Sequence, residues 1–212
     1  MKLRTDFVTN SSSSSYCVSF IVKTTDNKEI PLDLWPEYED GSGDVYISLN
    51  EDVDTVVSQI KECESVNELC DLLCNSLELD EDIFEDEDIF EESECSEEYA
   101  EQFEYFQSEM NKLEDLSDIE CITICEYFSG WGEFARDGVD EFLERVLPED
   151  TFIEDADDAR EIFKDKLSEA EIDSIIDQFE NDSICQFDAD IKTEIKFSDG
   201  TVKKYYRFDD MT

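Results

Sequence analysis

The sequence predicts an α+β fold: a mainly antiparallel sheet formed by N- and C-terminal hairpins plus a central strand, with helices packed on it and an acidic helical insertion. Three observations carry that expectation. From Cys185 to Phe197, Phe187, Ala189, Ile191 and Ile195 alternate with Asp188, Asp190, Lys192, Glu194 and Lys196. That period of two belongs to a strand with one face buried and one wet. From Glu120 to Phe128 both faces read as apolar, which places this strand inside a sheet. The β-prone stretches fall at the two ends and the middle of the chain with helical periodicity between them, an order that favours α+β over a βαβ series.

The 212 residues are 40% hydrophobic and 12% aromatic, enough apolar material to bury a core. No linker is long enough to force two domains. The expected organisation is a flexible basic and Ser-rich N-terminal tag over 1–15, then a single α+β domain over 16–212 with the acidic helical insertion at 51–117.

Tyr16 to Lys23 is nearly continuously apolar and β-prone. Asp26-Asn27 turns the chain, and Ile30, Leu32 and Leu34 alternate in the returning strand. A short strand follows at Val45–Leu49. Val53, Val56, Val57 and Ile60 define one helix face. A second helix opens with the capping box Ser65-Val66-Asn67-Glu68 and buries Val66, Leu69, Cys70, Leu73 and Leu77. Ser96 is placed to cap a third helix, along which Tyr99, Phe103, Phe106, Met110 and Leu113 recur at spacings of four and three. Such a stripe is usually a helix face laid on a core; as a heptad-like seam it would form a homodimer through Tyr99–Leu113. Ser129-Gly130-Trp131-Gly132 is expected to turn the chain. Val139, Phe142, Leu143, Val146 and Leu147 mark a helix ended by Pro148. Two more helices are expected at about 155–166 and 168–179, the latter with the capping box Ser168-Glu169-Ala170-Glu171 and the stripe Ile172, Ile175, Ile176, Phe179. Asp199-Gly200 makes the last turn, and Val202 to Phe208 returns with Lys203, Lys204 and Arg207.

Lys2, Arg4, Phe7, Val8, Thr9, Asn10 and the serines Ser11 to Ser15 form a short cationic arm and a Ser tract. This stretch resembles the motif K-x-R-x-x-F-V-(S/T)-N-S-S-S-S-S-F that opens many otherwise dissimilar, uncharacterised bacterial and phage proteins, with Tyr16 where Phe is usual. The resemblance covers less than a tenth of the chain and brings no activity. It implies a shared tag or processing signal and a phage or mobile-element setting.

Sixty-one carboxylates against sixteen Lys and Arg give a net charge of −45. That balance opposes direct binding to nucleic acid or to an anionic membrane and favours a cationic partner. The charge is uneven: only Lys61 and Lys112 are basic between Glu29 and Ala135. It peaks in Glu78–Glu98, with thirteen carboxylates in twenty-one residues, where Asp80-Glu81-Asp82-Ile83-Phe84-Glu85 is repeated as Asp86-Glu87-Asp88-Ile89-Phe90-Glu91. A run of this kind is ordinarily a solvated loop. Its regularly placed Ile-Phe pairs fit a surface that imitates the phosphate charge of nucleic acid, with aromatics in place of stacked bases. The expected partner-binding residues are Asp80, Glu81, Asp82, Asp86, Glu87, Asp88, Glu91 and Glu92, anchored by Phe84 and Phe90.

No catalytic residues are expected. The chain has no His, which removes the commonest general base near neutral pH, and it holds no phosphate-binding loop or nucleophile elbow. Cys70 with Cys74 and Cys121 with Cys125 would make a four-thiolate zinc site if the pairs met, but their spacing departs from the usual C-x2-C knuckle. The repeat has no Gly for an EF-hand turn, so no metal and no cofactor is expected. With no apolar leader or membrane-length run, a cytoplasmic location with reduced cysteines is expected. The sequence therefore points to a non-enzymatic acidic inhibitor or nucleic-acid mimic of the anti-restriction or anti-CRISPR type. Its partner would be a basic, nucleic-acid-binding protein. The alternatives are an immunity protein neutralising a basic toxin nuclease, and a protein whose acidity only solvates it.

Overall fold

The structure is a computed structural model and describes residues 14–34, 45–79, 93–147, 151, 153, 155–181 and 186–210. Among these residues the elements run β1 (Ser14–Thr24), β2 (Glu29–Leu32), β3 (Val45–Leu49), α1 (Val53–Glu62), α2 (Val66–Asn75), β4 (Leu77–Leu79), α3 (Ser93–Met110), β5 (Ile119–Trp131), α4 (Glu133–Val146), α5 (Ala156–Phe163), α6 (Glu169–Asn181), β6 (Gln186–Lys196) and β7 (Val202–Asp210). The strands form one sheet in the order β4-β3-β1-β5-β6-β7, with β2 also paired to β1. The fold is α+β as the sequence predicts, helices on a mostly antiparallel sheet.

One pair is parallel. β3 lies along the first half of β1, Ser15 to Cys17, while β2 lies antiparallel along its second half, Phe20 to Lys23. A strand as long as β1 has room for both short strands on the same edge. β3 and β4 are antiparallel neighbours, and their connection is the pair α1–α2. The segment 51–117 thus contributes a strand as well as helices. Leu77 belongs to that strand and not to α2, whose buried residues are Val66, Leu69, Cys70 and Leu73.

Two expectations of turn or coil become strand, for one shared reason. Ser129 to Trp131 continue β5, and Ser14 and Ser15 open β1, because Ser14 pairs with Gly130 and Ser15 with Ser129. β6 pairs with the same residues from the other side, Phe187 with Gly130 and Gln186 with Trp131. The turn comes at Gly132, whose φ of 64° and ψ of −131° lie where a side chain is not tolerated. α3 begins at Ser93, so Ser96 lies inside the helix and does not cap it.

The interior position of β5 is as expected, between β1 and β6, but its two faces differ. Ile122, Ile124 and Phe128 are buried, while Thr123, Cys125 and Tyr127 on the reverse face are half-buried. The buried face continues through Val18, Phe20 and Val22 of β1 and through Phe187, Ala189, Ile191 and Ile195 of β6. Rings cross it in a chain: Tyr16 to Phe128 at 4.8 Å between centroids, Phe128 to Phe142 of α4 at 6.1 Å, Phe142 to Phe208 at 5.7 Å, and Phe208 to Phe187 at 6.4 Å. Each fully buried Phe contributes about 1.5–3 kcal/mol through area alone, and the tilted and edge contacts add to it. Tyr99, Phe106 and Met110 of α3 are also buried in this core, so the aromatic stripe is occupied by packing within the chain.

The helix starts follow local chemistry. Asp52 accepts from Thr55 N–H at 2.9 Å, Ser65 from Glu68 N–H at 3.2 Å, and Asp155 from the Asp157 and Asp158 N–H groups. At α6 the capping box closes, with Ser168 N–H donating to Glu171 Oε2 at 2.7 Å and Glu171 N–H donating to Ser168 Oγ at 3.3 Å. The other oxygen of Glu171 accepts from Phe208 N–H at 3.0 Å. It thereby satisfies a donor on the outer edge of β7, which Lys203, Lys204 and Arg207 also guard.

Among the described residues two buried side-chain oxygens are unmatched, Gln178 Oε1 and the Thr193 hydroxyl. Thr193 is fully buried on the core face of β6, and its hydroxyl has no hydrogen-bond partner. Thr193→Val removes that hydroxyl at nearly constant volume and is expected to stabilise the protein by about 1–2 kcal/mol. In a chain of this size that is a rise in Tm of about 2–4 °C per kcal/mol. An unchanged or lowered Tm in thermal unfolding would show that the hydroxyl is paired in solution.

Candidate functional site

The ten residues expected to bind a partner, Asp80, Glu81, Asp82, Phe84, Asp86, Glu87, Asp88, Phe90, Glu91 and Glu92, lie outside the described residues. Their flanks are described: β4 leads in, with Leu77 opposite Leu49, and α3 leads out.

Three of the described helices are acidic in their own right. α2, α3 and α6 contain no Lys or Arg at all. Their apolar stripes turn inward and their carboxylates outward: Asp71 on α2, Glu101 and Glu104 on α3, and Asp173 and Asp177 on α6 are exposed. α2 packs beside α3, so Asp71, Glu101 and Glu104 belong to adjoining helices. Few cations answer them. Glu109 is bonded by both Lys28 and Lys112, Arg160 reaches Asp173 at 2.7 Å, and Lys204 reaches Asp54 at 3.1 Å. Exposed pairs of this kind contribute little to stability.

Six of the fourteen described Lys and Arg residues lie on the strands. Lys23, Lys192, Lys196, Lys203 and Arg207 project from the reverse face of the sheet, where Lys23 meets Glu120 at 2.7 Å and Arg207 meets Asp209 at 2.5 Å and Asp190 at 3.7 Å. Tyr127 donates to Asp188 at 3.1 Å on the same face, and Tyr205 is 49% exposed. Burial raises the Asp190 carboxyl above its ordinary range despite Lys192 and Arg207.

A second constellation was not singled out by the sequence. Glu126 lies on the core face of β5, only 3% exposed, and its Oε1 accepts from the Tyr16 hydroxyl at 3.0 Å. Arg145 of α4 stands 6.0 Å over the Tyr16 ring. Desolvation pushes the Glu126 carboxyl up, opposed by Arg145, the Tyr16 hydrogen bond and Lys204, and reinforced by Glu141. Burial and the Glu126 charge push the Tyr16 phenol well above its usual range. The signal for this site was present, since period two puts Glu126 in line with Ile122, Ile124 and Phe128. With the Tyr16 hydroxyl as its donor and Arg145 and Lys204 as nearby cations, the geometry is that of a buried hydrogen-bonded carboxylate.

Among the described residues, no group of three or more His, Cys, Asp or Glu side chains is placed to hold a metal ion. Nor is any described helix long and apolar enough to cross a membrane. The class defined by these features is an α+β protein in which three of the described helices carry no Lys or Arg. No protein-family model, curated protein or solved structure matches the chain.

Proposed function

We propose that the protein is a non-enzymatic acidic inhibitor, a nucleic-acid mimic whose partner is a basic nucleic-acid-binding protein in the cytoplasm. The observation that carries this reading is the segregation of charge: α2, α3 and α6 are free of Lys and Arg, and they lie on a chain with a net charge of −45. The adjoining helices α2 and α3 set their carboxylates at helical spacing, and a row of negative charge of that kind is what a duplex presents in its phosphates. The binding groove of a nucleic-acid enzyme would recognise that pattern through Lys and Arg. The acidic repeat from Asp80 to Glu92 supplies further charge between β4 and α3, with Phe84 and Phe90 as apolar anchors.

Two variants test the reading, Asp80, Asp82, Asp86 and Asp88 all changed to Lys, and Asp71, Glu101, Glu104 and Asp177 all changed to Lys. The wild type is expected to retain a basic nucleic-acid-binding protein from host lysate at low salt and to release it at high salt. Added duplex should compete for that partner, and each variant should lose it at least tenfold. Partners retained equally by wild type and both variants would leave the acidity as solvation only.

A further inference from the structure

α2 and α3 meet at a pair of thiols with no role in the acidic surface. Cys70 and Cys74 lie one helical turn apart on α2, Cys70 buried and Cys74 half-buried. Their thiols lie close enough to interact, and from α3 the Gln107 side-chain amide donates to Cys74 Sγ at 3.9 Å.

The spacing discriminates between two fates of such a pair. Side chains at i and i+4 of a helix keep their Cβ atoms about 5–6 Å apart, whereas a disulfide needs about 3.5–4.5 Å. Oxidation to a disulfide would pull α2 out of shape. Two metal–sulfur bonds of roughly 2.3 Å each, by contrast, span about 4.5 Å and leave the helix as it is. A two-coordinate site excludes zinc and calcium, which need four or more ligands. Thiolates select soft ions, and the surrounding carboxylates, being hard donors, raise the local cation concentration without competing for one.

The geometry points to a binding site for one soft monovalent cation, Cu(I), bridged between the Cys70 and Cys74 sulfurs, with the Gln107 amide holding Cys74 in place. Binding releases both thiol protons to solvent and leaves a bis-thiolate complex with a single negative charge.

The test uses the reduced full chain under anaerobic conditions, competing for Cu(I) with bicinchoninate and following the colour of the chelator complex. Wild type is expected to withdraw one equivalent. Cys74→Ser and Cys70→Ser should each lower the affinity at least a hundredfold, and Cys125→Ser should leave it unchanged. Far-UV circular dichroism checks the fold of Cys70→Ser, and the half-buried Cys74→Ser stands as the second variant should that one unfold. The assignment is overturned if wild type withdraws no copper or if Cys74→Ser still binds. It is equally overturned if Cys125→Ser loses as much as Cys74→Ser, because the copper is then held by scattered thiols.

Discussion

Gly138→Ala is expected to destabilise the protein by about 3 kcal/mol, although alanine is the better helix former. Gly138 lies within α4, where replacing Gly by Ala ordinarily gains about 1 kcal/mol. Here a Cβ would fall 2.2 Å from Cζ and 2.5 Å from Cε1 of Phe187. Phe187 is fully buried and stacked on Phe208, so its ring has nowhere to withdraw. Either α4 lifts from β6 or the ring leaves its rotamer, and overpacking of this sort costs about 1–3 kcal/mol or more. The loss should appear as a Tm lower by about 2–4 °C per kcal/mol. Phe187→Leu costs stability alone, but it removes the atoms that collide. Combined with Gly138→Ala it should give a double variant more stable than the sum of the two single losses. Strict additivity would mean that α4 and β6 are further apart in solution.

Tyr16→Phe is expected to cost about 1–3 kcal/mol at neutral pH, because it leaves the buried Glu126 carboxylate without its hydroxyl donor. In a Glu126→Gln background the same change should cost clearly less, and the difference measures the coupling across the 3.0 Å bond. Glu126 also predicts a pH dependence of definite sign. Its carboxyl is raised in the folded state, so the folded protein holds this proton more tightly than the unfolded chain does. The Glu126 contribution to stability therefore falls as pH rises from the ordinary carboxylate range to the raised folded value, and is constant above it. Glu126→Gln should be more stable than wild type at neutral pH, with the gap closing as pH drops into the ordinary carboxylate range. Glu109 and Asp52 are held low by their partners and act in the opposite sense in both proteins, so they cancel in the comparison. Denaturant midpoints of the two proteins across pH decide the matter, and a gap independent of pH would mean that the folded and unfolded chains hold the Glu126 proton equally tightly.

Much of this fold is legible in the sequence where one face of an element meets the core and the other meets water. The stripe Val53, Val56, Val57, Ile60 is the buried face of α1, and the alternation of β6 matches its burial residue for residue. The misreadings fall where distant backbone decides. Ser14-Ser15 and Ser129-Gly130-Trp131 have the local chemistry of coil and turn, yet each supplies the hydrogen-bonding partners that make the other a strand. The parallel pairing of β1 with β3 depends on the path between β2 and β3, which no local pattern encodes. Glu126 was hidden by its neighbours, since a strand read as apolar on both faces conceals one carboxylate in the buried row. The acidic repeat is plain in composition, but the ten residues proposed to bind lie outside the described residues.

The pairing of β5 has a consequence for how the chain reaches this structure. The middle of the sheet joins segments far apart in sequence: Tyr16 bonds to Glu126 across 110 residues, and Tyr127 to Asp188 across 61. Little of the sheet apart from β2 on β1 and the β6–β7 hairpin can form from neighbours alone. Loop-closure entropy must be met before those contacts return anything, so assembly should be slow for a chain of this length. During synthesis β1, with its row of Val18, Phe20 and Val22, waits without β5 until more than a hundred further residues have emerged. A bare apolar strand in that interval is a hazard for aggregation. The charge of −45 then does its work before the fold exists, by keeping unfinished chains apart.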